Sequence, residues 1–130
     1  MATVSLYVAI YNDEGVYKHW ALFIDGPTDM QKIVLNIMGS SIDYWFEMRH
    51  GNEHESKILS EMIYICEMEE SKIKTTVKIA KKAVIHNKYP GYNCQDYVLE
   101  MLDTLENGVI DGSDENYKKK RRLSNRNKKG

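Results

Sequence analysis

VYKHWALFIDGPTDMQKIVLNIMG, residues 16–39, is the stretch whose reading decides the fold. Two apolar runs, VYKHWALFI at 16–24 and KIVLNIMG at 32–39, flank DGPTDMQ, whose Asp, Gly, Pro and Thr carry turn chemistry. That arrangement predicts an antiparallel hairpin. Upstream, TVSLYVAIY at 3–11 alternates, with Val4, Leu6, Val8 and Ile10 on one face, and residues 12–15 read as a turn. Downstream, DYWFEM at 43–48 predicts a fourth strand and EMIYICEM at 61–68 a fifth. The fifth is read as a strand rather than a short helix because Met62, Tyr64, Cys66 and Met68 alternate with isoleucines. The polar excursion RHGNEHES at 49–56 is assigned outside the core.

Helical periodicity takes over after residue 70. Ser71 is the predicted N-cap of KIKTTVKIAKKAVIHN, where Ile73, Val77, Ala80 and Val84 form one stripe. Pro90 and Gly91 end that run, and His86 is placed at the helix end, where a protonated imidazole complements the dipole. A second helix, 93–107, puts Tyr97, Val98, Met101, Leu102 and Leu105 on one face, with Gly108 as the C-terminal stop. The fold class is α+β, a mainly antiparallel sheet of about five strands followed by two helices.

The 130 residues suffice for one core. The net charge of −1 hides a split: residues 1–111 hold 10 Lys+Arg against 17 Asp+Glu, and residues 112–130 hold 8 against 2. The division is a folded domain at 1–111 and a basic tail at 112–130, poor in large apolar residues and expected to be disordered or to fold back on the acidic body. KKKRR at 118–122 reads either as a cluster for an import receptor or polyanion, or as a solvated, solubilising face. The acidic body argues against nucleic-acid binding. Neither a leader pattern nor a span of membrane length is visible, which implies a soluble cytoplasmic or nuclear protein without a transmembrane anchor. Two cysteines without a leader read as free thiols.

Cys94 opens the second predicted helix behind Asn93, a good N-cap type. Helix N-termini concentrate positive partial charge, which favours a thiolate over a thiol and can hold a developing oxyanion. The competing account is a buried small residue. A nucleophile needs a base, and of His19, His50, His54 and His86 only His19 lies inside a predicted strand, a rigid support for a catalytic ring. His50 and His54 have metal-compatible spacing but no second ligand pair, so no metal or cofactor is implied. If the hairpin pairs residues whose numbers sum to 55, Asn36 faces His19 and can orient its imidazole. Cys94, His19 and Asn36 would then supply nucleophile, base and orienter.

HWALFID, followed about seventy residues later by NCQDYVLEMLDTL, resembles the circularly permuted papain-fold (NlpC-like) thiol hydrolases. These include the lecithin retinol acyltransferase-like enzymes and the PPPDE-type deubiquitinating and deSUMOylating isopeptidases. Fungal proteins with a His-Trp strand and an Asn-Cys-Gln-Asp helix start are similar as well. The resemblance implies a permuted papain-like fold over residues 3–111, with Cys94 as nucleophile, His19 as general base and Tyr97 as the aromatic three residues on. Asn36 stands on the strand where the acyltransferase-like group places a second polar member, usually histidine. Gln95-Asp96 departs from the histidine those groups commonly carry two residues after the cysteine.

The sequence therefore supports a cysteine hydrolase or transferase acting on an amide, isopeptide, thioester or ester, with a peptide, protein-conjugate or acyl substrate. A non-catalytic binding module or effector of the same fold, carried to the nucleus by its basic tail, is the alternative. Oligomeric state is left open.

Overall fold

The computed structural model describes residues 2–12 and 18–126, the last two by backbone alone. Five strands, β1 (Thr3–Tyr11), β2 (His19–Asp25), β3 (Lys32–Met38), β4 (Trp45–His50) and β5 (Leu59–Glu69), precede three helices, α1 (Ile73–Lys82), α2 (Cys94–Leu105) and α3 (Glu115–Arg126). The strands form one sheet in the order β4-β3-β2-β1-β5, every neighbouring pair antiparallel. The α+β class with a five-stranded antiparallel sheet is as the sequence indicates. The turn assigned to 12–15 falls mostly outside the described residues, as does the start of the second predicted strand at 16–17.

The sheet is covered on both faces. Val8, Ile10, Trp20, Leu22, Leu35 and Ile37 point toward the helices and meet Tyr97, Val98, Met101 and Leu102. Ala9, Tyr11, Ala21, Phe23 and Val34 form a smaller cluster on the opposite face. Double coverage explains why HWALFID reads as a near-continuous apolar run instead of alternating. β5 breaks alternation for another reason: its register against β1 shifts between Leu6 and Tyr7 and again between Ile10 and Tyr11. The first bulge skips Ile65, so Ile63, Ile65 and Met68 all reach the core.

Four expectations need correction. The excursion at 49–56 is not wholly solvated: Arg49 and His50 finish β4, and the Glu53 carboxylate, 3% exposed, accepts a hydrogen bond from Tyr11 at 2.7 Å. Ser71 does not cap α1, which is entered through a 3-10 turn at Glu70–Lys72 with Lys72 at the N-cap position. α1 stops at Lys82, short of His86, because Ala83 turns extended and the Tyr97 hydroxyl donates to the Ala80 carbonyl in the last turn at 2.8 Å. Asn87 then clamps Tyr44, accepting from its N–H at 2.9 Å and donating to its carbonyl at 3.1 Å. His86 pairs with Glu100 at 3.2 Å instead of closing a helix.

The fourth correction concerns the disorder expected of the tail: residues 115–126 are helical and follow the alternative expectation, folding back on the acidic body. Asp114 caps α3 by accepting from the Asn116 and Tyr117 amides at 2.8 and 3.1 Å. Tyr117 is 2% exposed, and its hydroxyl donates to Glu106. Arg121 bridges Asp103 at 2.8 Å and Glu106 at 3.2 Å, and donates to the Leu99 carbonyl at 3.3 Å. Composition averages predict disorder because they do not register individual docking side chains such as Tyr117, Arg121 and the buried Ser124. Of KKKRR, Arg121 is turned inward, while Lys118, Lys119 and Arg122 are exposed.

Two outcomes follow. Leu102→Ala, truncating a wholly buried α2 side chain, lowers the unfolding free energy by about 2–5 kcal/mol in urea titration. Arg121→Ala opens α3 locally, so amide hydrogen exchange across residues 115–124 accelerates by about ten-fold or more while the centre of α2 keeps its protection.

Candidate active site

The start of α2 is held by a reciprocal capping box. Asn93 Oδ1 accepts from the Gln95 amide at 2.8 Å, and Asp96 accepts from the Asn93 amide at 3.0 Å. The Asp96 carboxylate is thereby committed to the helix cap. Gln95, wholly buried, donates from Nε2 to the Lys18 carbonyl at 3.0 Å and ties α2 to the residue before β2. Between these anchors the Trp20 amide donates to Cys94 Sγ at 3.4 Å.

That contact is possible because the sheet opens there. β1 and β2 pair through Tyr11↔His19, and β3 and β4 pair through Met38↔Trp45, but the β2–β3 ladder covers only Leu22↔Leu35 to Asp25↔Lys32. Beyond Leu22 the amide that would serve the ladder turns to the thiol. Cys94 belongs to the helix-side core, yet the opening brings it to a cavity that His19 and Asn36 reach from the other face.

The cavity, about 520 Å³, is lined by Cys94, His19 and Asn36 together with Tyr11, Glu47 and Arg49. All three residues singled out from sequence are thus brought to one cavity. The hairpin register differs from expectation: paired residues sum to 57. The 3-10 turn Asp29–Gln31, closed by the Gly26 amide on the Gln31 carbonyl at 2.9 Å, takes up the difference. A shift of two preserves the face: continued past the last pair, Leu22↔Leu35, this register sets Asn36 diagonal to His19 instead of directly opposite. Asn36 is 1% exposed, and its Oδ1 has no hydrogen-bond partner among the described residues.

Three residues not foreseen from sequence support His19. The Tyr11 ring lies 5.6 Å from the imidazole, centroid to centroid, and its hydroxyl donates to Glu53. Arg49 forms an ion pair with Glu53 and donates to the Tyr11 oxygen at 3.5 Å. Burial, and then the Glu53 acceptor, hold the Tyr11 phenol well above its ordinary range, so it remains a donor. Tyr11 was detectable: pairing the first two predicted strands across a short turn sets it beside His19. Glu53 was not, being one carboxylate among several in a polar loop.

The other candidates fall elsewhere. Cys66 lies on β5, where burial and then the Glu67 charge push its thiol up to about 12. Neither Cys66 nor Cys94 forms a disulfide. His54 meets Asp25 at 3.1 Å and packs edge-on against Tyr7 and Phe23, and His50 is exposed at the end of β4. Among the described residues, no group of three or more His, Cys, Asp or Glu could hold a metal ion, and no helix is long and apolar enough to cross a membrane. A larger cavity, about 890 Å³, lies under α1 between Ile33, Met48, Ile73 and Val77, away from the thiol.

Residues 6–111 match the model of a family of unknown function, DUF6540, and the chain belongs to that family. No significant match was found among curated proteins or solved structures.

A buried acceptor left unsatisfied costs stability. Asn36→Leu therefore stabilises the fold by about 1 kcal/mol, read as a higher urea midpoint with unchanged slope. A lower midpoint would mean that Oδ1 already contributes to the resting fold.

Proposed function

We propose that the chain is a cysteine hydrolase or acyl transferase with a permuted papain-like (NlpC-like) fold, forming an acyl-enzyme at Cys94. The observation that carries this reading is the convergence of Cys94, His19 and Asn36 on one cavity, with Cys94 on the first turn of a capped helix. The departure at Gln95-Asp96 does not weigh against it. Asp96 serves the cap, and Gln95 links the helix start to the residue before His19.

In this mechanism His19 takes the Cys94 proton and the sulfur attacks the carbonyl carbon of an amide, isopeptide, thioester or ester. The C–S bond forms as the carbonyl π pair moves onto oxygen, and the positive end of α2 stabilises that oxyanion. The bond to the leaving amine, alcohol or thiol then breaks, and the imidazolium returns its proton to that group. Water, or an acceptor nucleophile, attacks the resulting thioester, giving its proton to His19 and regenerating the thiol. Asn36 Oδ1 accepts from the imidazole N–H as the ring swings into line, acting as orienter. Tyr11, fixed by Glu53 and Arg49, backs the ring. Substrates are peptides, protein conjugates or acyl carriers.

A non-catalytic binding module of the same fold is the second reading, favoured by the burial of Cys94 to 3% exposure. In that reading an import receptor or polyanion meets the exposed lysines of α3, and the protein acts in the nucleus.

Alkylation separates the two. Iodoacetamide at pH 7 labels Cys94 about ten-fold or more faster than Cys66, and His19→Ala removes most of that advantage. Cys66, pushed up to about 12, gains reactivity only in strongly alkaline solution. A Cys94 rate that follows an ordinary thiol and ignores His19→Ala overturns the hydrolase reading.

A further inference from the structure

α1 carries charge that its surroundings do not answer. Of the 10 Lys and Arg residues in 1–111, six lie between Ser71 and Gln95, a stretch with no Asp or Glu; the other four share the rest of the body with 17 acids. Lys74, Lys78, Lys81 and Lys82 recur at helical spacing, so they crest one side of α1 over about 12 Å. All four are exposed, and none forms an ion pair among the described residues. The nearest carboxylate in sequence is engaged elsewhere: Glu70, one turn before Lys74, accepts from Gln31 Nε2 at 3.0 Å.

Lys74 and Lys78 border the cavity of about 890 Å³ under α1. Its walls are apolar, Ile33 and Met48 from the sheet and Ile73 and Val77 from the helix. Met30, 69% exposed, carries that apolar surface past the rim. Single apolar side chains at a surface are ordinary, whereas a concave apolar wall rimmed by uncompensated cations marks an interaction site. The charge pattern selects the occupant. A fatty anion offers one carboxylate where the crest presents several cations. A phosphate backbone has no apolar group to place among Ile33, Met48, Ile73 and Val77. A flat anionic membrane meets the surrounding acidic surface along with α1. A peptide is narrow enough to follow α1 alone, and it supplies carboxylates and apolar side chains together.

We propose that the groove beneath α1 docks an acidic segment of a partner protein, whose aliphatic or aromatic side chains fill the cavity while its carboxylates meet Lys74 and Lys78. Carboxylates two residues apart on an extended segment, or one turn apart on a helical one, match the spacing of about 6 Å between Lys74 and Lys78. Lys81 and Lys82 extend the same field to further carboxylates along the segment. The surface is separate from the thiol and needs no chemistry at Cys94.

The test is an NMR titration of the ¹⁵N-labelled full chain with a short acetylated and amidated peptide in which glutamate pairs alternate with leucine pairs. One control peptide replaces glutamate by glutamine, and another replaces leucine by serine. Dodecanoate and vesicles of mixed phosphatidylserine and phosphatidylcholine complete the set. The expected result is saturable shifts at the amides of Ile33, Met48 and residues 73–78, with the glutamate–leucine peptide binding about ten-fold or more tightly than either control peptide. The double variant Lys74→Gln/Lys78→Gln, its fold checked by the same spectrum, removes the preference for glutamate over glutamine. Absent shifts, shifts confined to α3, equal binding of either control peptide, or indifference to the double variant each overturn the proposal. Tighter binding of dodecanoate assigns the groove to a small amphiphile and overturns it as well. So does loss of the α1 signals on vesicles that the peptide does not displace, which assigns the face to a membrane.

Discussion

Everything distinctive about this molecule depends on one hydrogen bond made in an unusual place, from the Trp20 amide to the Cys94 sulfur. In a continuous sheet that amide would serve the neighbouring strand. Here the β2–β3 ladder stops at Leu22↔Leu35, and a helix start takes the position a strand would fill. The thiol is buried with the core yet opens onto a cavity at the far face. The capping box at Asn93–Asp96 and the Gln95 clamp on Lys18 hold that position from two sides. An isolated sulfur acceptor is weak; the packing of Tyr97, Val98, Met101 and Leu102 against the sheet gives it its place.

Much of this was legible in the residues. β1 is legible to its ends, and β3 and the end of β2 to within a residue, because turn residues bound long apolar runs. The start of α2 was legible because Asn93 is both a good cap type and positioned before a clear apolar face. Register was harder. A pairing estimated from the centre of a loop cannot foresee a 3-10 turn inside it, so the sequence sets Asn36 directly opposite His19, whereas the observed register offsets it by two. The face survived because the shift was even. α1 was read too long because helical periodicity in residues 83–87 is overruled by tertiary partners, Asn87 on Tyr44 and Tyr97 on Ala80. No local pattern encodes either.

Charge explains the remaining surprise. A segment with 8 basic residues against 2 acidic ones reads as repelling itself into disorder. Yet the body it follows is acidic, and Asp103 and Glu106 on and just after α2 accept Arg121. Arg121 is committed to docking, while Lys118, Lys119 and Arg122 stay exposed. The same economy operates around His19, where Tyr11, Arg49 and Glu53 satisfy one another and Glu47 is left facing the cavity. Counting charges over a segment misses this, because the outcome turns on which individual groups find partners.

The two irregularities in the β1–β5 ladder have a consequence for the company this chain keeps. β5 is an eleven-residue strand at one edge of the sheet, long enough to recruit a like strand from another molecule. Its bulges change the residue offset twice along its length, so a straight incoming strand stays in step for only part of the way. α3 packs against β5 as well. A fold that exposed a regular edge of this length would invite filaments; the interruptions that spoil the pattern in the sequence discourage self-templating in the folded protein.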